Sequence, residues 1–231
     1  PLIADLQHVR RSLGPVRELD VSLTILQGLP VTAGVSVAAR RALVRVCRAE
    51  RARHLATVRA ALDEDAIGTL ERRLEQAVGG PATRLREPSA AVLRRRVRRR
   101  ARRLSMAIRH AGGLYLPERL HDVRIRLKKL RYAIDAASQA RALRVSKTER
   151  ALVTRGQDVL GRMQDLEVVI DRVRAAQGAP GLLSLRTSRS ADGLVRYVEG
   201  RCRALHVTYV ALTDDVNAFC RRVRHRARGS R

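Results

Sequence analysis

The chain has 231 residues, with 48 Lys and Arg against 22 Asp and Glu, a formal charge of +26 and a sequence pI near 11.7. That length excludes a mini-protein that needs staples, and the charge points to polyanionic partners: nucleic acid, anionic lipid or another phosphate polymer. With no Trp, one Phe and four Tyr, stacking platforms are too few for the usual single-stranded nucleic-acid modules, so a ligand without bases fits better.

Apolar residues Leu2, Leu6, Val9, Leu13 and Val16 step by four and three, which predicts an amphipathic helix from Leu2 to about Leu26. Gly14 and Pro15 predict a kink or restart within it, and Gly28 with Pro30 its end. The segment from Leu29 to Ser36 reads as a loop. The uncharged run from Val21 to Ala39 is long enough to span a bilayer, but Gln27, Gly28, Pro30, Thr32, Gly34 and Ser36 make it a helix end plus loop, so no membrane association is expected. A second helix is predicted from Val37 to Leu62, and a shorter one from Glu64 to Val78, closed by Gly79-Gly80-Pro81. A linker of turn residues follows to Pro88.

Ser89 is the predicted N-cap of a helix reaching about Ala111, with Leu93, Val97, Ala101, Leu104 and Ile108 as its core stripe. Between Arg94 and Arg103 every residue except Val97 and Ala101 is arginine. Repulsive i,i+4 pairs such as Arg94/Arg98 and Arg98/Arg102 each cost about 0.2–0.5 kcal/mol on an isolated helix, so compensation is expected from a ligand or from acids. Arg94, Arg98, Arg102 and Arg109 lie on one flank of the stripe and Arg96, Arg100 and Arg103 on the other; the sequence does not choose between them.

After Gly112-Gly113, Pro117 suits a first helical turn. In the stretch from Leu120 to Ala137, LHDVRIRLKKLRYAIDAA, Leu120, Val123, Leu127, Leu130 and Ile134 form a core stripe. Beside it His121, Arg124, Lys128 and Arg131 form a cationic row, while Arg126 and Lys129 project to another flank. A further helix spans about Ser146 to Ala175, ending at Gly178-Ala179-Pro180-Gly181, with a flexible segment to Ser190. The last helix, about Asp192 to Arg224, carries Leu194, Val198, Cys202, Leu205, Tyr209, Leu212, Val216, Phe219 and Val223 in its stripe. Strand signals are absent, so the fold class is all-α. Cys47, Cys202 and Cys220 are odd in number and lack CxxC spacing, which predicts core thiols in a reducing, cytoplasmic setting.

Leu13-Gly14-Pro15-Val16-Arg17-Glu18-Leu19-Asp20-Val21 aligns without gaps on Leu160-Gly161-Arg162-Met163-Gln164-Asp165-Leu166-Glu167-Val168 at an offset of 147 residues. Two related helical halves follow, 1–112 and 113–231. The same offset carries the His121 stretch to a position before Pro1, which predicts a first helix that this sequence does not contain.

LHDVRIRLKKLRYAIDAA resembles the signature helix of the conserved histidine α-helical domain (CHAD) family, and LGPVRELDV with LGRMQDLEV resemble the second-helix motifs of that family's two halves. The resemblance covers nearly the whole chain in helix order, except the first helix with its own histidine motif. It implies two four-helix bundles related by a pseudo-twofold repeat, and a basic surface that binds inorganic polyphosphate, with association to polyphosphate granules. Family members are often fused to a triphosphate tunnel metalloenzyme domain, but no ExExK motif occurs here.

Polyphosphate carries charge at every unit and no bases, which suits Arg forks and Lys ammonium groups spaced along a helix. His121, Arg124, Lys128 and Arg131 are the primary candidates, with Arg126, Lys129, Arg94, Arg98, Arg102 and Arg109 around them. Sulfate or phosphate ions are expected on the same surface in a crystal. For His121 the competing reading is a structural histidine bonded to a carboxylate. Glu118-x-x-His121 imitates a carboxylate di-metal motif, but a second copy is missing, so no metal or cofactor is expected. Glu18/Asp20 and Asp165/Glu167 read as internal partners of arginine rather than as catalytic pairs. Without a nucleophile and base, a phosphate loop or a metal cluster, no enzyme is expected. Two alternatives stand beside polyphosphate binding: a nucleic-acid-binding protein, and a scaffold whose basic face docks an acidic partner such as a separately encoded triphosphatase.

Overall fold

The computed structural model describes residues 2–30, 35–79 and 89–228, without the side chains of residues 78 and 79. The expected linker at 80–88 and the centre of the expected loop at 31–34 lie outside them. The described residues form seven α-helices and no strand: α1 (Leu2–Gly28), α2 (Val37–Ala61), α3 (Glu64–Gly79), α4 (Ala90–Ala111), α5 (Pro117–Gln139), α6 (Lys147–Gly178) and α7 (Leu185–Arg226). None is long and apolar enough to cross a membrane.

The chain divides into two compact units. One comprises residues 1–86 with 168–199, the other 87–167 with 200–231. The units are therefore interleaved and differ from the sequential halves 1–112 and 113–231, because α4 belongs with α5.

In the first unit α1 packs along α2. The expected restart at Gly14-Pro15 does not occur, and α1 runs through Pro15 as one helix. Proline there removes the N–H that would reach the Arg11 carbonyl. Burial of Val16, Leu19, Leu23 and Leu26 just beyond it offsets the loss. Arginine pairs complete the unit: Arg51 to Asp20 at 2.5 Å, Arg73 to Asp5 at 2.5 Å, and Arg172 to Glu50 at 3.0 Å and Glu18 at 3.7 Å. The last helix also starts earlier than expected. Ser184 accepts a hydrogen bond from the Thr187 N–H, which starts α7 at Leu185, and the Gln177 amide ties that start to α6 through the Ser188 carbonyl and Asp192. The segment expected to be flexible up to Ser190 is thus helical from Leu185, because a side-chain cap supplies what the stripe lacks.

In the second unit four helical segments share one core. Leu93, Val97, Ala101, Leu104 and Ile108 of α4 meet Leu120, Val123, Leu127, Leu130 and Ile134 of α5. Val153, Leu160 and Met163 of α6 and Tyr209, Leu212, Val216, Phe219 and Val223 of α7 complete it. Ser89 caps α4 through the Val92 N–H, and Pro117 opens α5. Ser105 of α4 reaches Cys220 of α7, and all three cysteines are buried and outside any disulfide. Burial raises the Cys47 thiol, and it pushes Cys220 up to about 11.

Ser146 and Glu149 cap α6 reciprocally: the Ser146 N–H donates to Glu149 Oε2, and the Glu149 N–H donates to Ser146 Oγ. Burial raises the Glu149 carboxyl, but hydrogen bonds from Arg226 and the Ser146 N–H, the Arg226 charge and a hydrogen bond from Arg222 outweigh it and hold it below its usual range. A depressed carboxyl stabilises the fold above its unfolded pKa, and that stability is lost as pH falls through the folded one. Glu149→Gln keeps the cap geometry and removes the charge. It should cost about 1–2 kcal/mol near pH 7, a range set by charged hydrogen bonds to two partly exposed arginines. In denaturant titrations the gap to the native chain should narrow at acid pH; a gap independent of pH would refute the assignment.

Candidate functional site: the two flanks of α5

The core stripe of α5 leaves a cationic flank on each side of it. On one flank His121, Arg124, Lys128 and Arg131 form a row about 15 Å long, at about 1.5 Å per residue. This row runs beside α6. His121 Nδ1 lies 2.6 Å from Gln164 Oε1, and Arg131 Nη1 donates to Gln157 Oε1 at 2.6 Å. The His121 partner is thus a neutral amide rather than a carboxylate. With Nδ1–H donating to Gln164, Nε2 of this exposed ring is left for solvent or a ligand.

Partners divide the row. Arg131 is held by Gln157 and lies 3.9 Å from Asp135, which also accepts from Arg150 at 2.9 Å. Lys128 and Arg131 both lie over the Tyr132 ring, at 5.9 and 5.7 Å from its centroid. His121, Arg124 and Lys128 have no carboxylate partner among the described residues.

The other flank faces α4. Arg126 Nε donates to both oxygens of Asp122, at 2.9 and 2.7 Å. Arg126 and Lys129 line a cleft with Arg100 and Arg103. Arg94, Arg98, Arg102 and Arg109 are not in it. They lie on the side of α4 that carries Ser105, which turns toward Cys220 of α7. No residue from Arg94 to Arg103 has an ion pair among the described residues.

Glu18 and Asp20 pair with arginine as expected. Glu167 instead accepts a hydrogen bond from the Tyr115 hydroxyl. Burial, that bond and a further one to Cys202 raise the Tyr115 pKa, while the His206 ring meets the Tyr115 ring edge-on at 5.3 Å. The glutamate therefore orders a half-buried tyrosine.

Two features escaped the sequence reading. Gln157 and Gln164 are neutral, and only their seven-residue spacing, two turns of α6, marks them as sharing a face. The first unit has its own arginine groove, about 300 Å³, lined by Arg40, Arg41, Arg45 and Arg48 of α2 with Gln27 and Val44. Its signal was the recurrence of arginine at three- and four-residue steps.

Fold and site define an all-α protein whose α4 carries nine arginines and whose α5 carries six lysines and arginines. The chain belongs to the CHAD family: the CHAD domain matches it over residues 1–174, a span that includes both Leu-Gly motifs and all of α5. No curated protein and no solved structure matches the chain.

Proposed function

We propose that this CHAD protein is a non-catalytic module that binds inorganic polyphosphate along the His121, Arg124, Lys128 and Arg131 row of α5. The observation that carries the reading is the contrast between cations. Arg51, Arg126, Arg150 and Arg172 each have a carboxylate within 3.0 Å, whereas His121, Arg124 and Lys128 share a flank without one among the described residues. A linear chain of phosphates supplies charge at intervals along such a row, and counterion release drives its binding. Cytoplasmic location and association with polyphosphate granules belong to the same proposal, as does an acidic triphosphatase as partner.

Calorimetric titration with long-chain polyphosphate at physiological salt tests it. Binding whose affinity falls as salt rises is the expected result; no heat and no gel shift would sink the reading. The charge of the α4 arginine run favours nucleic acid as the second reading. Against it, the Tyr132 ring beside the row is already covered by Lys128 and Arg131. Duplex DNA that displaced polyphosphate at equal phosphate concentration would reverse the order of the two readings.

A further inference from the structure

The steps that place Arg96, Arg100 and Arg103 on one flank of α4 place Asp122, Arg126 and Lys129 on one flank of α5, and the structure brings these flanks together. Between them is a cleft of about 90 Å³ lined by Arg100, Arg103, Asp122, Ile125, Arg126 and Lys129. It holds four cations and one acid. Asp122 is already engaged, since both its oxygens accept from Arg126 Nε. Arg100, Arg103 and Lys129 have no carboxylate among the described residues.

Arg100 stands out. Its Nε is buried and has no hydrogen-bond partner. Burial, followed by the charges of Arg99, Arg103, Arg96 and Arg126, holds its guanidinium below the usual arginine range. A buried N–H on a partly exposed guanidinium, without an acceptor and among like charges, weakens the fold unless an anion completes it. At about 30 Å³ per water the cleft holds roughly three waters. That space, rimmed by forked cationic donors, has room for one tetrahedral oxyanion.

We propose that the α4–α5 cleft is a second anion site, separate from the His121 row, which takes a single phosphoryl group through Arg100, Arg103 and Lys129. The group is either free phosphate or the terminus of a phosphate chain. Arg fork donors match its oxygens, and Asp122 holds Arg126 at the rim. A site shaped this way weakens the protein when empty and strengthens it when filled, so one substitution should move the two states in opposite directions.

Thermal unfolding of the full chain, at ionic strength matched with chloride, tests this with inorganic phosphate and with tripolyphosphate as probes. Phosphate should raise the midpoint of the native chain above its value in chloride. Arg100→Gln should raise the midpoint in chloride and abolish the rise with phosphate, whereas Arg95→Gln, on the exposed side of α4, should keep that rise. Arg103→Gln provides a second variant, with phosphate affinity by calorimetry expected to fall about tenfold for one lost charge-assisted hydrogen bond. A response to tripolyphosphate alone, still dependent on Arg100, would assign the site to chain termini. Equal losses in Arg95→Gln and Arg100→Gln, or no response to either probe beyond chloride, would overturn the proposal. Lys128 and Arg131 are not part of the cleft, so their substitution tests the polyphosphate row separately.

Discussion

Reversing Lys128 and Arg131 together to Glu should weaken polyphosphate binding by about a hundredfold at physiological salt. Two cationic contacts become two repulsive ones, and the slope of log affinity against log salt should fall by roughly two. The two positions are not equal in structural cost. Arg131 is anchored to Gln157 and lies near Asp135, so a carboxylate there also meets a like charge. Lys128 lies over the Tyr132 ring and has no carboxylate partner among the described residues, and Lys128→Glu alone should weaken binding by about tenfold with little change in stability. Affinity unchanged in both variants, with unfolding curves showing native folds, would place the ligand elsewhere.

The second large effect concerns how α5 is seated. Leu127, in the middle of the core stripe, is 2% exposed, and Leu127→Ala should cost about 3 kcal/mol, within the usual range for emptying a leucine site. Gly156 of α6 faces it: a Cβ there would lie 3.1 Å from Leu127 Cδ2. Gly156→Ala would otherwise gain about 1 kcal/mol in helix propensity, but the native leucine must give way to admit it. With Leu127 already replaced by Ala, the new methyl group enters the vacated space and should stabilise by about 1 kcal/mol or more. Denaturant unfolding of the four proteins in the cycle measures this coupling. Simple additivity would show that the close approach has no energetic role. That approach also bears on the site, since Gln157, the next residue, is the one that grips Arg131.

Elements whose apolar spacing and end signals agree were legible in the sequence. The stripes of α4 and α5 are buried residue for residue, Ser89 caps where a serine before the stripe should, and Pro117 opens the next helix. Single local signals were less reliable. Pro15 sits inside an unbroken helix because burial beyond it outweighs one lost hydrogen bond, and α7 begins at a cap that apolar spacing does not reveal. At the candidate site, spacing placed each cation on a flank of its helix. It could not say which helix that flank would meet, because neighbours depend on packing between elements rather than on period. Hence Arg100 and Arg103, not Arg98 and Arg102, adjoin Arg126 and Lys129. Gln157, Gln164 and the Tyr115–Glu167 bond carried no charge pattern to find them by.

The interleaved path of the chain bears on dissecting this protein into pieces. A cut between residues 112 and 113, where the sequence repeat would divide it, severs α4 from α5 and strips the cover from Val97, Ala101 and Leu104, each fully buried. Fragment boundaries that respect the units cannot be contiguous. The second unit can be closed another way, because the Tyr115 hydroxyl bonds to both Glu167 and Cys202 and so marks where two outgoing helices pass side by side. Joining the chain there by a short turn in place of residues 168–199 is the topologically natural route to a minimal domain that keeps both flanks of α5.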